Sequence, residues 1–435
     1  MRLEYYFDFS CPFAYLGSIE VEAVARRTGA ELVWRPMLLG GVLRAVGAEQ
    51  TLAAEPAARR KDHLVDMRRW SEVRDLALVM PPGHPQRTVR ALRTIVAVEE
   101  RRWPAIIHDL YAAYWERGEP LEDTATLRRA LNAAGVTASA AEQALAAADT
   151  QPCKDELRRR TDEAVARGVF GAPTLFVHGS NGAGEQMFWG QDRLEMAEAA
   201  LRGWHPGKNA PPAGSLLSGL PQGAAAVGDA SPVIQFWYDF SSPWSYLAST
   251  QIVALAARTG ARIDWRPMLL GAVFKDIGSP NVPLFAMSES KRRYIGRDLE
   301  AWASAWQVPF RWNRHFPMKT VTALRLAILA KGRVAELSLA LFRAAWGEDR
   351  NIDDPAELAD LLTGHGFDAE AMLAGTREPE AKQRLIDATA EAVKRGVFGA
   401  PTFLVARGGD ERLFWGQDRM GLVERAALGV TPPST

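Results

Sequence analysis

The chain has 435 residues, which is too long for one ordinary domain and enough for two domains that each bury a core. Its 52 lysines and arginines balance 52 aspartates and glutamates, so neither a basic surface nor a nucleic-acid partner is expected. The sequence begins without the features of a signal peptide and contains no apolar run of the roughly 18 residues that cross a membrane. Only two cysteines occur, Cys11 and Cys153, which excludes a disulfide framework. We therefore expect a cytoplasmic protein without a membrane partner.

Each half of the chain is predicted to form a sheet that is interrupted by helices. A strand of alternating aromatic and polar residues opens each half, and a helix with proline in its first turn follows. More than a hundred residues of helical pattern then separate the second strand from the last two strands and the final helix. The predicted segments are strands at 3–9 and 233–240, helices at 12–28 and 243–259, strands at 31–37 and 262–268, helices at 88–102 and 320–331, strands at 174–178 and 186–189, and final helices after Gln191 and Gln417. This order is typical of an α/β fold with a helical insertion.

Four sequence blocks of the first half recur in the second half in the same order. YYFDFSCPFAYLGS recurs as FWYDFSSPWSYLAS, WRPMLLGGV as WRPMLLGAV, ARGVFGAPT as KRGVFGAPT, and FWGQDRL as FWGQDRM. The period of about 230 residues is that of a whole domain and is far above that of a solenoid repeat. The segment between the copies is rich in Gly, Pro, Ala and Ser, which indicates a linker. We predict a first domain at 1–204, a linker at 205–232 and a second domain at 233–435.

Cys11 and Ser242 occupy matching positions where the first strand of each copy meets the first helix. The N-terminus of a helix stabilises anions, and a cysteine there is driven toward the thiolate. A serine there can donate a hydrogen bond to the thiolate of another molecule, such as glutathione. The alternative is that both residues only cap their helices. Cys153 has no counterpart in the second copy and is expected to be a small buried residue.

Both copies also contain a Gly-Ala-Pro-Thr motif before an apolar strand. A cis peptide bond before Pro173 or Pro401 would leave the N–H and C=O groups of Ala172 or Ala400 free to pair with an extended, peptide-like ligand. An ordinary tight turn is the alternative interpretation.

A third motif places Gln191 and Asp192, and in the second copy Gln417 and Asp418, at the start of the last helix. An aspartate there either caps the helix or binds the ammonium group of a small ligand. The seven histidines show no metal-binding spacing, so no metal site is predicted.

In combination, these motifs resemble the DsbA-like thioredoxin superfamily, specifically its branch of 2-hydroxychromene-2-carboxylate isomerases and kappa-class glutathione transferases. The motifs that carry the resemblance are Asp-Phe-x-[Ser/Cys]-Pro-x-x-Tyr-Leu, Gly-Val-Phe-Gly-Ala-Pro-Thr and Phe-Trp-Gly-x-Asp-Arg. The resemblance covers both copies and implies a thioredoxin-like fold with a helical insertion, present twice. It also implies glutathione as cofactor and an intramolecular pseudo-dimer of the two copies.

The resemblance assigns most roles to the second copy. It implies that Ser242 activates glutathione and that the backbone of Ala400, before Pro401, pairs with its cysteinyl part. It implies that the γ-glutamyl end is held by two residues, Gln417 and Asp418. Asn281 and Lys291 resemble the family's remaining glutathione contacts.

The first copy departs from the family pattern. Cys11 replaces the serine, and residues 45–70 contain no clear equivalent of Asn281, although Arg59 stands where Lys291 does. The motif Cys-Pro-Phe-Ala ends in Ala14, so the second cysteine of a dithiol oxidase is absent.

Three functional hypotheses follow. The first is a glutathione-dependent isomerase or transferase for a small aromatic or unsaturated carbonyl compound, in which a bound thiolate adds to a double bond, permits rotation and leaves. The second is a monothiol disulfide reductase or thiol-transfer enzyme that uses Cys11. In the third, one copy is a non-catalytic structural partner.

Overall fold

The computed structural model describes residues 1–48, 55–179, 184–212 and 231–430. These residues form two units. Unit 1 contains the described residues of Met1–Glu55, His63–Ser215 and Met287–Ile295, and unit 2 contains those of Pro56–Asp62, Leu216–Ala286 and Gly296–Thr435. Each unit therefore consists of one sequence copy and a short segment of the other. Most of the predicted linker, residues 213–230, lies outside the described residues.

The first copy forms a four-stranded mixed sheet in the order β2-β1-β3-β4. β1 runs parallel to β2 and antiparallel to β3, and β3 is antiparallel to β4. The elements of this copy are β1 (Arg2–Phe7), α1 (Pro12–Thr28), β2 (Glu31–Pro36), α2 (Leu39–Ala45), α3 (Ala57–Val73), α4 (Val89–Val96), α5 (Trp103–Trp115), α6 (Thr124–Ala133), α7 (Ala138–Ala148), α8 (Gln151–Ala166), β3 (Thr174–His178), β4 (Glu185–Trp189) and α9 (Leu194–Leu201).

The second copy repeats this arrangement in the order β6-β5-β7-β8, with the same strand directions. Its elements are β5 (Val233–Tyr238), α10 (Pro243–Thr259), β6 (Arg262–Pro267), α11 (Leu270–Asp276), α12 (Glu289–Ala305), α13 (Val321–Leu329), α14 (Val334–Phe342), α15 (Pro355–Gly364), α16 (Ala369–Gly375), α17 (Pro379–Lys394), β7 (Thr402–Arg407), β8 (Asp410–Trp415) and α18 (Met420–Leu428). No helix in the described part of the chain is long and apolar enough to cross a membrane.

The predicted α/β sheet with a helical insertion, present twice, is confirmed. The helices predicted at 12–28 and 243–259 agree with α1 and α10 residue for residue. The first strands end two residues earlier than predicted, because the next residue in each copy is a buried aspartate whose carboxylate accepts backbone N–H groups of the following loop. The helices predicted at 88–102 and 320–331 are shorter and begin at Val89 and Val321.

The two copies differ by a matched pair of core residues. Tyr5 on β1 donates from its hydroxyl to the carbonyl of Ala14 at 2.8 Å, and it is fully buried. A Cβ atom on Gly17 would lie 2.5 Å from the Tyr5 hydroxyl oxygen. The second copy has Phe236 and Ala248 at these two positions. In the second copy, Phe236 therefore lacks the hydroxyl group that would collide with the methyl group of Ala248.

We expect Gly17→Ala to destabilise unit 1 by about 1–3 kcal/mol, because the new methyl group overpacks against Tyr5. The double variant Tyr5→Phe/Gly17→Ala should be more stable than Gly17→Ala, since the methyl group then has space and alanine favours a helix over glycine by about 1 kcal/mol. Urea unfolding of the wild type, both single variants and the double variant measures the coupling between the two positions. Additive effects would show that the two side chains do not compete for this space.

Candidate functional site

In unit 2, the strand–helix junction places Ser242 at the N-cap of α10. Its hydroxyl oxygen accepts a hydrogen bond from the Ser245 N–H at 3.1 Å, and its O–H donates to the carbonyl of Ala400 at 3.0 Å. The side chain is only 2% exposed. Ser242 therefore caps the helix and also has a donor proton that an incoming acceptor could take over from Ala400.

In unit 1, the matching position holds the thiol of Cys11. The Sγ atom donates to the carbonyl of Ala172 at 3.1 Å and makes no cap hydrogen bond to α1. Burial raises the pKa of Cys11 to about 12, although the backbone N–H groups of Ala14 and Phe13 lower it. The expected shift toward thiolate is therefore not seen, because the cost of burying the charge exceeds the effect of the helix N-terminus. Cys153, expected to be buried, is instead half-exposed on α8.

The peptide bonds before Pro173 and Pro401 are cis, as predicted. The prediction that the preceding carbonyl groups are free is wrong, since the Ala172 carbonyl accepts from the Cys11 thiol and the Ala400 carbonyl accepts from the Ser242 hydroxyl. These contacts bring the first two sequence motifs together in each unit.

The third motif is held against the second by its tryptophan and glycine. The N–H of Gly416 donates to the carbonyl of Pro401 at 3.0 Å. A Cβ atom on Gly399 would collide with the Trp415 indole nitrogen, so only glycine allows this close approach. Unit 1 has the same contacts, with a Cβ atom on Gly171 lying 2.7 Å from the Trp189 indole nitrogen. All three motifs therefore meet at one place in each unit.

The glutamines of the third motif are buried, with Gln191 and Gln417 each 2% exposed. They open short 3₁₀ turns that precede the last helices, which therefore start later than predicted. Among the described residues, neither side-chain amide nitrogen has a hydrogen-bond partner. A buried amide donor without a partner costs about 1–3 kcal/mol, so a polar ligand would gain from pairing with it.

The aspartates that follow these glutamines pair with the next arginine in the chain. The Asp192 carboxylate lies 3.2 Å from the Arg193 guanidinium, and the Asp418 carboxylate lies 3.3 Å from that of Arg419. Each carboxylate therefore already has a cationic neighbour, which an ammonium group of a ligand would join.

Asp239, which no sequence motif indicated as part of the site, is buried directly before the Ser242 loop. Its carboxylate accepts from the N–H and hydroxyl of Ser241 at 2.9 and 3.0 Å, from the Leu270 N–H at 2.8 Å and from the Thr320 hydroxyl at 2.7 Å. Burial raises the pKa of Asp239, whereas these hydrogen bonds lower it. The carboxylate thus joins the loop, α11 and the start of α13 in one network. Asp8 holds the same network in unit 1.

A second missed residue is Ser245, which replaces the Ala14 of the first copy. Its side chain is fully buried, and its hydroxyl has no hydrogen-bond partner within the part of the chain that the structure describes. The presence of an uncompensated hydroxyl one turn into α10 distinguishes the site of unit 2 from that of unit 1.

The structure separates Asn281 from Lys291, which the sequence analysis grouped together. Asn281 lies in unit 2 with Ser242, where its side-chain oxygen would be 2.8 Å from a Cβ atom on Gly271 in α11. Lys291 belongs to unit 1, and its Nζ atom lies 5.0 Å from the centre of the Trp189 ring. The first-copy stretch that corresponds to Asn281 falls near residues 49–54, outside the described residues.

The family model of the DSBA-like thioredoxin domain matches residues 2–202 and 233–427. The 2-hydroxychromene-2-carboxylate isomerase of Sphingobium xenophagum is 30% identical over 201 residues, which cover 45% of this chain and 97% of the relative. Glutathione S-transferase kappa 1 of Rattus norvegicus is 27% identical over 227 residues, covering 48% of this chain and 98% of the relative. A solved 2-hydroxychromene-2-carboxylate isomerase structure is 27% identical, with a TM-score of 0.41 over 45% of this chain and 93% of that one.

Proposed function

Because the chain belongs to the DsbA-like thioredoxin family through both of its copies, we propose that it is a glutathione-dependent isomerase or transferase that acts at the Ser242 site. We propose as its substrate a small aromatic or unsaturated carbonyl compound. Relatives named as a 2-hydroxychromene-2-carboxylate isomerase and a kappa glutathione transferase support an enzyme of this kind.

The observation that carries the proposal is the hydroxyl group of Ser242. It lies at a helix N-terminus, where the helix dipole favours a negative charge, and it can redirect its proton from the Ala400 carbonyl to a sulfur. A hydroxyl is not itself ionised at neutral pH, so it acts as a donor to a thiolate that arrives with the ligand. Ser242 thus stabilises the charge that develops on a bound thiol.

The buried polar atoms around Ser242 fit a peptide-like thiol. The Ser245 hydroxyl and the Gln417 amide nitrogen are buried and have no partners among the described residues, so each can form a new hydrogen bond with a ligand, the amide nitrogen as donor. We propose that Gln417 and Asp418 hold the γ-glutamyl end of glutathione, with Asp418 facing its ammonium group. When bound, glutathione would supply the thiol nucleophile. Asp239 keeps the Ser242 loop in place through its four hydrogen bonds.

The Cys11 site supports a thiol-transfer reaction less well. Such a reaction needs a thiolate, and burial raises the pKa of Cys11 to about 12, so the thiol is neutral at physiological pH. The reductase hypothesis stays a prediction. It requires that a ligand or partner lower the pKa of Cys11 so that the thiolate can form.

Calorimetric titration with reduced glutathione tests the proposal. We expect the wild type to bind glutathione and Ser242→Ala to weaken this binding about 10- to 100-fold, because a hydrogen bond to a charged group contributes about 1.5–3 kcal/mol. Cys11→Ser serves as the comparison for the other site. Absence of glutathione binding by the wild type, or equal binding by Ser242→Ala, would contradict the proposal.

A further inference from the structure

We propose that each thiol site takes the cation for its ligand's carboxylate from the opposite sequence copy. Arg59, from the first copy, would serve the Ser242 site, and Lys291, from the second copy, would serve the Cys11 site. The part concerning Arg59 rests on the proposed glutathione-dependent function. This assignment reverses the grouping that the order of the sequence suggests.

Arg59 and Lys291 are counterparts in the two copies. Each lies near the start of its helix, α3 or α12, and each is followed eleven residues later by a tryptophan, Trp70 or Trp302. Both helices begin in one unit and continue in the other, since Pro56–Asp62 belongs to unit 2 and Met287–Ile295 to unit 1. Arg59 and Lys291 therefore each lie in the unit of the opposite copy, whereas the rest of each helix lies in the unit of its own copy. We call this arrangement the exchange.

In unit 2, a short series of contacts connects Arg59 to the reactive hydroxyl. The Cζ atom of Arg59 lies 5.2 Å from the centre of the Trp415 ring. The indole nitrogen of Trp415 packs against Gly399, and the carbonyl of the next residue, Ala400, accepts the hydrogen bond from Ser242. The guanidinium group is thus connected, through Trp415 and the backbone of Gly399 and Ala400, to the carbonyl that accepts the Ser242 hydrogen bond.

Unit 1 repeats the series with different residues. The Nζ atom of Lys291 lies 5.0 Å from the centre of the Trp189 ring, and the backbone N–H of Trp189 donates to the Tyr294 hydroxyl at 2.9 Å. Tyr294 is only 6% exposed and also packs against Phe170. The second-copy segment therefore places one buried side chain, that of Tyr294, in unit 1. The same placement of a cation in both units, with an arginine in one and a lysine in the other, supports a ligand-binding role.

The charge of these residues suits glutathione, which has two carboxylates and one ammonium group. Asp418 can face the ammonium group, but the Ser242 site also needs a cation for a carboxylate. A guanidinium group binds a carboxylate with two parallel hydrogen bonds, whereas a lysine ammonium acts as a point charge. We therefore assign the carboxylate of the ligand at the Ser242 site to Arg59.

The test is a set of titrations with reduced glutathione and with glutathione diethyl ester, in which both carboxylates are blocked. The variants are Arg59→Ala, Arg59→Lys, Lys291→Ala and the exposed neighbour control Arg292→Ala. We expect Arg59→Ala to weaken the Ser242-dependent binding of glutathione at least tenfold, Arg59→Lys to recover part of the loss, and Lys291→Ala to weaken this event less than Arg59→Ala. The diethyl ester should bind the wild type and Arg59→Ala equally, because it lacks the carboxylates.

Two results would overturn the exchange. One is Ser242-dependent binding that Lys291→Ala weakens more than Arg59→Ala. The other is an Arg59→Ala variant that loses the same factor of affinity for glutathione and for the diethyl ester, since this indicates a structural role for Arg59. Thermal unfolding of every variant identifies any variant that fails to fold. If Arg59→Ala does not fold, Arg59→Lys is compared with the wild type in its place. If the wild type does not bind glutathione at all, the proposed function itself is wrong.

Discussion

Ser242→Ala should lower the rate of glutathione-dependent turnover by roughly 10²- to 10³-fold, which is the usual cost of removing one donor from a site of developing negative charge. The hydroxyl already donates to the Ala400 carbonyl at 3.0 Å, so a sulfur that replaces this carbonyl as the acceptor would lie within reach of the same donor. The measurement is the initial rate with a panel of aromatic, unsaturated carbonyl compounds in the presence of reduced glutathione.

The same substitution also removes a helix cap, so stability must be measured in parallel. Loss of the hydrogen bond from the Ser245 N–H should cost about 1 kcal/mol and leave unit 2 folded. Ser242→Thr keeps the hydroxyl and should retain more activity than Ser242→Ala. Ser242→Cys creates the arrangement of the first copy and should be impaired as well, because a thiol is a weaker hydrogen-bond donor than a hydroxyl. Unchanged turnover by Ser242→Ala would rule out Ser242 as the residue that stabilises the thiolate.

Alkylation of Cys11 by iodoacetamide should be about a thousandfold slower at neutral pH than that of an ordinary cysteine of equal access. Burial raises the pKa of Cys11 from 9.0 to about 12, and each unit reduces the thiolate fraction about tenfold. In a Cys153→Ser background, the alkylation rate should still rise about tenfold per pH unit between pH 8 and 10. Mass spectrometry of the modified peptide follows the reaction at Cys11 alone.

If the Cys11 thiol were activated in the protein without ligand, its alkylation rate would depend on pH differently. A rate that levels off below pH 9 would show that the helix N-terminus outweighs burial and would restore the Cys11 reductase hypothesis. Repeating the series with saturating glutathione shows whether an occupied site changes the slope. The half-exposed thiol of Cys153, studied in Cys11→Ser, gives the rate of a more accessible cysteine in the same chain.

The elements next to local signals could be predicted from the sequence. Both first helices begin at a proline and end before a glycine in the left-handed conformation, Gly29 or Gly260, so their limits follow from neighbouring residues. Contacts over long separations carry no such signal. Thr320 donates to Asp239 across 81 residues, and nothing near Thr320 in the chain indicates this.

The state of Cys11 and the placement of Lys291 could not be predicted for a related reason. The helix N-terminus is visible in the sequence and favours the thiolate, but the burial that decides the pKa depends on the tertiary structure. The helical pattern of residues 289–305 is the same whichever unit its first turns pack against. Motif spacing therefore indicated the candidate positions but not the unit in which Arg59 and Lys291 each lie.

The pairs Tyr5–Gly17 and Phe236–Ala248 have a consequence for the inheritance of the gene. A recombination event between the two repeats whose crossover point falls between these positions would combine tyrosine with alanine or phenylalanine with glycine. The first product is overcrowded next to β1, and the second has an unfilled space there. Selection against both products would disfavour exchanges that end between the two positions, so that the two residues of each pair would be inherited together.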